Sequence, residues 1–373
     1  MSEPTVPKLK VAYFVPPSRH FAGIERVTHE LACALMEAYA NVLDIHVVYS
    51  SSYDEEALEA TPYAMHVLGV ERLRSLAFAL RRLVAAEHFD VLITPQVEAS
   101  VVAWVATRGL GLPVLLPHLH GNPRLERDEG TLRTRAAFRA FSAVVSRRVP
   151  AVLAVSPSLR DYTAKSLARH TWVVFAPNPV RDLGLPRPEP SVDGRFRFVC
   201  VGRLSRQKGQ DLLLRALALA RPSLPPVTLT LVGKGEEEAQ LRTLCTELGL
   251  DDMVTFAGYA ADPVPYLRQG DCFVLASRWD GLCVALVEAL QCGLPVLATD
   301  CDFGPSDIID NPLVGTLVQN GSAEALADGL VHAAGRGRNE ADDDLRREVV
   351  RQFERHTAAA SHFSILRSVV PTM

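Results

Sequence analysis

Nothing in this 373-residue chain pairs its cysteines. Cys33, Cys200, Cys245, Cys272, Cys283, Cys292 and Cys301 make no C-x-x-C, and most fall inside apolar strand or helix patterns. They read as buried thiols in a reducing cytoplasm. No apolar run approaches membrane-spanning length, and MSEPTVPKLK lacks the apolar core of a secretion signal. The expected location is therefore cytoplasmic, with any membrane contact peripheral, at the inner face of the cell membrane. Basic residues are not in excess: a net charge of −4 argues against a general nucleic-acid binder while leaving room for local basic patches. Neither G-x-S-x-G nor a P-loop occurs. Gly233-Lys234-Gly235 lacks the third glycine and the distal acid of a dinucleotide fingerprint, so NAD binding is not indicated. Internal repeats and low-complexity segments do not stand out.

What is present has the balance of a soluble globular protein, 48% hydrophobic and 22% charged. At 40.7 kDa the chain is too long for one core and suggests two domains. LKVAYFV (9–15) reads as a strand, and the helix after it puts Ile24, Val27, Leu31 and Leu35 on one face. IHVVYS, a helix over Glu71–Ala86, FDVLIT and PVLLPHLH follow, then an Arg-rich helix over 131–148 and AVLAV. A helix with Ser156 as N-cap and Pro157 in its first turn precedes WVVFAPNPV. After the Pro- and Gly-rich RDLGLPRPEPSVDG the alternation restarts with FRFVCVG, a helix over Gln210–Ala220, VTLTLVG, a helix over 236–248, and MVTFAGY. Strands separated by helices mean parallel, doubly wound sheets. The fold class is α/β, with two tandem Rossmann-like domains. The expected division is 1–182, a linker at 183–195, 196–345, and C-terminal helices over 346–373 that pack back on the first domain.

The most informative stretch is DCFVLASRWDGLCVALVEALQCGLPVLATDCDFGPSDII (271–309). It reads as strand, tight loop, helix stopped by Gly293, and a second strand from Pro295. Such a unit aims the free N–H groups of its helix at the carboxyl ends of the strands, where anionic ligands bind. Asp280 lies in the loop and Glu288 in the helix. Carboxylates there suit ribose or sugar hydroxyls rather than phosphate. Taken alone, both acids read more simply as solvated surface groups, since charged residues mostly sit outside. Arg203 and Lys208 leave the first strand of the second domain at the same edge, and two cations beside a helix N-terminus could neutralise a diphosphate without metal. In the first domain, Gly23 stands just before a helix, where it lets backbone approach a ligand or simply makes a turn. His118 and His120 lie at a strand's C-terminal end. Asp300-Cys301-Asp302 is formally a D-x-D, but hard cations usually recruit more oxygen ligands. The Asp342–Asp344 run reads as a solvated acidic face.

Taken in order, AGIERV (22–27), HGN (120–122), VSPSL (155–159), NPV (178–180), VGRLSRQKGQDLLLRA (201–216), LVGKGEEEAQL (231–241), VTFAGYAADPVPYL (254–267), the acids Asp280 and Glu288 with seven residues between them, CGLPVLATDC (292–301) and GPSDII (304–309) resemble glycosyltransferase family 4 over nearly the whole chain. The resemblance implies the GT-B fold, two Rossmann-like domains facing a central cleft. It also implies retaining, metal-independent sugar transfer, with no cofactor, from a nucleoside-diphosphate-sugar held between the domains. By position, Arg203 and Lys208 match the family's diphosphate ligands and Glu288 its ribose ligand. Asp280 matches the acid that holds the transferred sugar, beside the Gly281 and Leu282 amides. Gly23 corresponds to the glycine loop near the diphosphate and His120 to the histidine near the reacting sugar, with His118 a second candidate.

Two positions depart from the pattern. The first acid is usually Glu, and Asp280 withdraws its carboxylate by about 1.5 Å, one carbon–carbon bond. Ala22 stands where a second glycine is common. Catalysis of this type rests on positioning and on fixed positive charge at the departing diphosphate, with domain closure excluding water. The GPSDII loop resembles those of enzymes that build bacterial surface glycans from UDP-sugars, which points to UDP-hexose or UDP-N-acetylhexosamine as donor. The acceptor is expected to be a glycan, a lipid-linked sugar or a small molecule. A non-catalytic nucleotide-sugar-binding partner, hinted at by Asp280, and a sugar-nucleotide epimerase are the alternatives. Arg124, Arg127, Arg133, Arg135, Arg139, Arg147 and Arg148, interleaved with Phe138, Phe141, Val144 and Val145, predict a basic amphipathic helix that either touches an anionic membrane or a phosphate-bearing acceptor, or packs its apolar face on the first domain's own sheet with the arginines solvated.

Overall fold

The computed structural model describes residues 7–18, 21, 23–53, 58–70, 73–111, 113–167, 171–181, 183, 193–337 and 339–370. Most of the linker and Ala22 lie outside that set. The chain forms two compact units, residues 1–181 with 353–373, and residues 182–352.

The first unit runs β1 (Leu9–Val15), α1 (Ile24–Tyr39), β2 (Leu43–Tyr49), β3 (Ala64–Val67), α2 (Leu73–Glu87), β4 (Val91–Pro95), α3 (Val97–Thr107), β5 (Val114–Leu119), α4 (Pro123–Asp128), α5 (Leu132–Ala140), β6 (Val152–Ala154), α6 (Pro157–Ser166) and β7 (Val173–Phe175). Its strands form one parallel sheet ordered β3-β2-β1-β4-β5-β6-β7. Parallel strands covered on both faces need continuous apolar runs, and β1 and β4 are buried almost throughout. Val27, Leu31 and Leu35 of α1 are buried as their spacing predicts, while Ile24 is half-buried. Ser156 caps α6 by accepting from the Leu159 N–H.

Helix α3 and strand β3 are among the elements that have no counterpart in the sequence reading. VEASVVAWVAT in α3 is apolar on nearly every face, so it offers no 3.6-residue stripe. Strand β3, AMHV, is half exposed at the sheet edge and carries no apolar run. The expected helix over 131–148 is instead α5 followed by a π-helical turn over Phe141–Val145.

The second unit runs β8 (Phe196–Val201), α7 (Gln210–Ala220), β9 (Val227–Val232), α8 (Glu238–Glu247), β10 (Val254–Gly258), α9 (Val264–Gln269), β11 (Cys272–Leu275), α10 (Val284–Gln291), β12 (Val296–Asp300), α11 (Pro305–Ile308), β13 (Gly315–Gln319), α12 (Ala323–Arg336) and α13 (Asp343–Val350). Its parallel sheet is ordered β10-β9-β8-β11-β12-β13. Gly293, with φ +73°, ends α10 in the left-handed conformation. All seven cysteines are free and buried.

Helix α14 (Arg355–Val369) returns to the first unit. Phe363 stacks on Tyr39 of α1 at 3.9 Å, and Arg355 pairs with Glu37 at 2.7 Å. The return begins at Phe353, not at Arg346. Arg346 is buried in the second unit, bonded to Gly293 O at 3.2 Å and to Asp343 at 2.9 Å. The Asp342–Asp344 run is therefore no simple solvated face: Asp343 is buried against Arg346, and Asp344 alone is fully outside.

Candidate functional site

In the second sheet the strand order reverses between β8 and β11, and ligands of open α/β sheets bind beyond the carboxyl ends of the strands at such a point. The chain leaves β8 through Gly202 and Arg203, turns through Lys208, and enters α7 after Gly209. It leaves β11 through the loop that carries Asp280. Lys208 Nζ donates to Asp280 Oδ2 at 2.6 Å. The Asp280 carboxylate also accepts from Ser277 Oγ at 3.3 Å and from the Gly281 N–H at 3.1 Å. Burial opposes the charge on Lys208, but the Asp280 carboxylate outweighs it and holds the ammonium well above its ordinary value.

The two loops are locked together around this pair. Gln207 Nε2 donates to Trp279 O, Arg278 N donates to Gln207 O, and the Arg278 guanidinium grips Asp211 with two bonds of 2.7 Å. Gly209 adopts φ +65°, and a Cβ there would lie 2.1 Å from Ala276 O, so only glycine lets α7 start against the end of β11. The same logic explains the Gly-Lys-Gly turn: a Cβ on Gly233 would lie 1.9 Å from Gly202 O.

Glu288, in the second turn of α10, is 4% exposed, which excludes the solvated-face reading. Asp280 is likewise buried, and so are Gly281 and Leu282, while the Arg203 side chain is exposed and its carbonyl accepts from Gln210 Nε2 at 3.0 Å. The structure thus brings Lys208 and Asp280 into direct contact. The sequence reading had given one to the diphosphate and the other to the sugar.

In the first unit, Gly23 caps α1 with φ +56° and no side-chain bond, so backbone conformation is what requires glycine there. At the end of β5, His118 donates to Ala176 O at 3.1 Å and its ring lies 4.2 Å from that of His120. Both border a small cavity with Tyr13, Thr28 and Pro95. His362 of α14 joins them: its ring is 5.3 Å from His118, and it donates to Pro177 O at 3.2 Å. Burial holds all three rings neutral, pushing His120 down to about 3, His362 to about 4 and His118 well below its usual value. Pattern reading missed His362 because α14 carries no motif. It also missed Gln96, which sits between β4 and α3 with φ +62°, an uncommon conformation for a non-glycine residue. Glu126 of α4 was missed too: burial, with Glu98 second, raises its carboxyl to about 7.

The Arg-rich segment takes the packed alternative. Its seven arginines are exposed, but Phe138, Phe141 and Val145 face the core. Arg127 pairs with Asp128, and Arg133 with Glu98. The apolar stripe is therefore unavailable to a bilayer, and only Leu132 projects a large apolar side chain. No described helix is long and apolar enough to cross a membrane. Asp300 and Asp302 join no three-residue metal-capable group among the described residues.

Comparison with known proteins agrees with this fold. The "Glycosyltransferase Family 4" model matches residues 21–182 and the "Glycosyl transferases group 1" model residues 185–335. An uncharacterized glycosyltransferase of Methanocaldococcus jannaschii is 38% identical over 31% of this chain, and the match spans only 28% of that protein's length. The lipopolysaccharide 1,6-galactosyltransferase of Escherichia coli is 24% identical over 84% of this chain and 86% of its own. Anabaena HepE, solved with UDP and glucose, superposes with a TM-score of 0.80 at 22% identity, covering 96% of this chain and all of that one. With two Rossmann-like units of the GT-B type and family models that between them match most of its length, the chain belongs to the group 1 glycosyltransferases, with a family 4 N-terminal part.

Proposed function

We propose that the chain transfers a hexosyl or N-acetylhexosaminyl group from a UDP-sugar, with retention and without metal, to a glycan, lipid-linked or small-molecule acceptor in bacterial surface-glycan assembly. The observation that carries this reading is the pair of half-buried Lys208 and buried Asp280 at the switch point of the second sheet, with Glu288 buried one helix turn beyond the start of α10. A lysine kept charged by its neighbour needs no proton uptake to meet a diphosphate. Arg203, exposed beside it, supplies a second cation. Glu288 holds ribose hydroxyls, and Asp280 with the Gly281 and Leu282 amides holds the sugar.

In the reaction the bond between the anomeric carbon and the diphosphate oxygen breaks as the acceptor oxygen bonds that carbon on the same face. The acceptor's proton passes to the departing phosphate oxygen, so no side-chain nucleophile is required. The resemblance gives His120 to the reacting sugar, and a ring kept neutral by burial serves there as a hydrogen-bonding group rather than as a cation. The UDP choice draws support from the Anabaena structure solved with UDP and glucose, and the surface-glycan setting from the E. coli lipopolysaccharide galactosyltransferase. A thermal-shift screen of UDP-, GDP- and ADP-sugars, followed by turnover of the labelled donor that stabilises most, tests it. Stabilisation by GDP- or ADP-sugars alone overturns the nucleotide choice. Binding without transfer to any acceptor makes the chain a nucleotide-sugar-binding partner, and a changed donor formed without acceptor makes it an epimerase.

A further inference from the structure

At the outer edge of the first sheet, three side chains unrelated to the donor site converge. His46 lies in the middle of β2, His66 in the edge strand β3, and Glu87 at the last position of α2. The parallel register sets His46 opposite Ala64, so His66 stands two residues further along the same face. His46 Nδ1 and His66 Nε2 are 2.9 Å apart, and one ligand atom from each of the three residues lies within 4.8 Å of the other two. Two imidazoles and one carboxylate form the donor set that zinc takes when it leaves a fourth position to water.

The surroundings fit. The buried Nε2 of His46 has no well-aligned hydrogen bond, although the Asp44 carboxylate stands 3.2 Å away. A ring that ligates through Nδ1 and turns its Nε2–H onto Asp44 reproduces the carboxylate–histidine–metal arrangement that orients such ligands. Lys10 is the competitor: its Nζ holds Glu87 Oε2 at 2.7 Å. It also holds Glu87 O at 2.8 Å and lies over the Phe89 ring at 5.4 Å, contacts that survive if the carboxylate turns away. Nitrogen ligands about 2.0–2.1 Å from a tetrahedral ion stand a little over 3 Å from each other, so the histidine pair needs only a small opening.

We propose that His46, His66 and Glu87 bind a divalent transition metal of the zinc class, with water as fourth ligand, pinning the half-exposed edge strand β3 to β2 and to the end of α2. The role is structural and separate from sugar transfer. The test is a Zn²⁺ titration of the full chain by calorimetry near pH 7.5, with metal content measured after dialysis and Tm with and without Zn²⁺. Wild type is expected to retain one equivalent and to melt higher with metal. His66→Ala, at a half-exposed edge position, is expected to bind at least about tenfold more weakly and to lose the Tm increase. Should that variant fail to fold, Glu87→Gln serves the same purpose. Absence of binding by wild type overturns the proposal, and so does equal binding by wild type and variant, which would place the ion elsewhere.

Discussion

Glu288 shows how much a single residue's burial decides. Taken alone in the sequence it read as readily as a solvated acid on a helix as a ribose ligand; at 4% exposed it is a carboxylate kept out of water. A charged hydrogen bond contributes about 1.5–3 kcal/mol, so Glu288→Ala is expected to weaken UDP binding by about tenfold to a hundredfold. Calorimetry on the folded variant checks this, and unchanged affinity sinks the ribose assignment. The histidine cluster makes a pH prediction. His120, His362 and His118 all have folded values below the unfolded histidine value of about 6.5. Their neutral forms therefore favour the fold above about pH 6.5, and that stability is lost as the pH falls toward 4, where only the unfolded chain takes up protons. His362→Gln removes one of the three groups, so Tm should fall less steeply between pH 6.5 and 4 than in wild type. A parallel slope in the two proteins refutes a titrating role for His362.

At the scale of elements, α5 and the π-helical turn after it carry the lesson. Their sequence has the alternation of arginines and apolar residues that a surface-lying helix shows, and pattern alone could not say which way the apolar stripe points. The structure turns Phe138, Phe141 and Val145 inward, leaving charge as the only means of membrane contact. Each basic residue near an anionic surface contributes about 1 kcal/mol. Binding to vesicles containing anionic lipid is therefore expected at low salt, largely lost at physiological salt, and reduced further in an Arg133/Arg135/Arg139→Ser variant. Co-sedimentation that is insensitive to salt, or equal for wild type and variant, excludes this segment as an electrostatic anchor. Helix α3 teaches the complementary point: an apolar stretch without a stripe is invisible to periodicity, yet the β4–β5 crossover needs it.

For the molecule as a whole, the prediction is that transfer survives chelation, because in the proposed reaction Lys208 and Arg203 supply the positive charge at the donor end. Turnover measured with and without EDTA checks it. Loss of activity restored by Mg²⁺ or Mn²⁺ would return Asp300 and Asp302 to consideration. His66→Ala, carried in parallel, separates any effect of stripping the edge site from an effect on chemistry. Much of the architecture was legible beforehand, since buried parallel strands such as β1, β4, β8 and β12 must be written as largely apolar runs. The helix stop at Gly293 and the cap at Ser156 were equally local, each set by one residue's backbone or side-chain chemistry. What the sequence by itself determined is therefore the alternation, the turns and the identity of the candidate donor residues. Tertiary structure alone decided that Lys208 meets Asp280, that His362 joins His118, and that His46, His66 and Glu87 share one corner. Periodicity and capping act within a few residues, whereas these meetings depend on strand order and register, which bring together groups far apart along the chain.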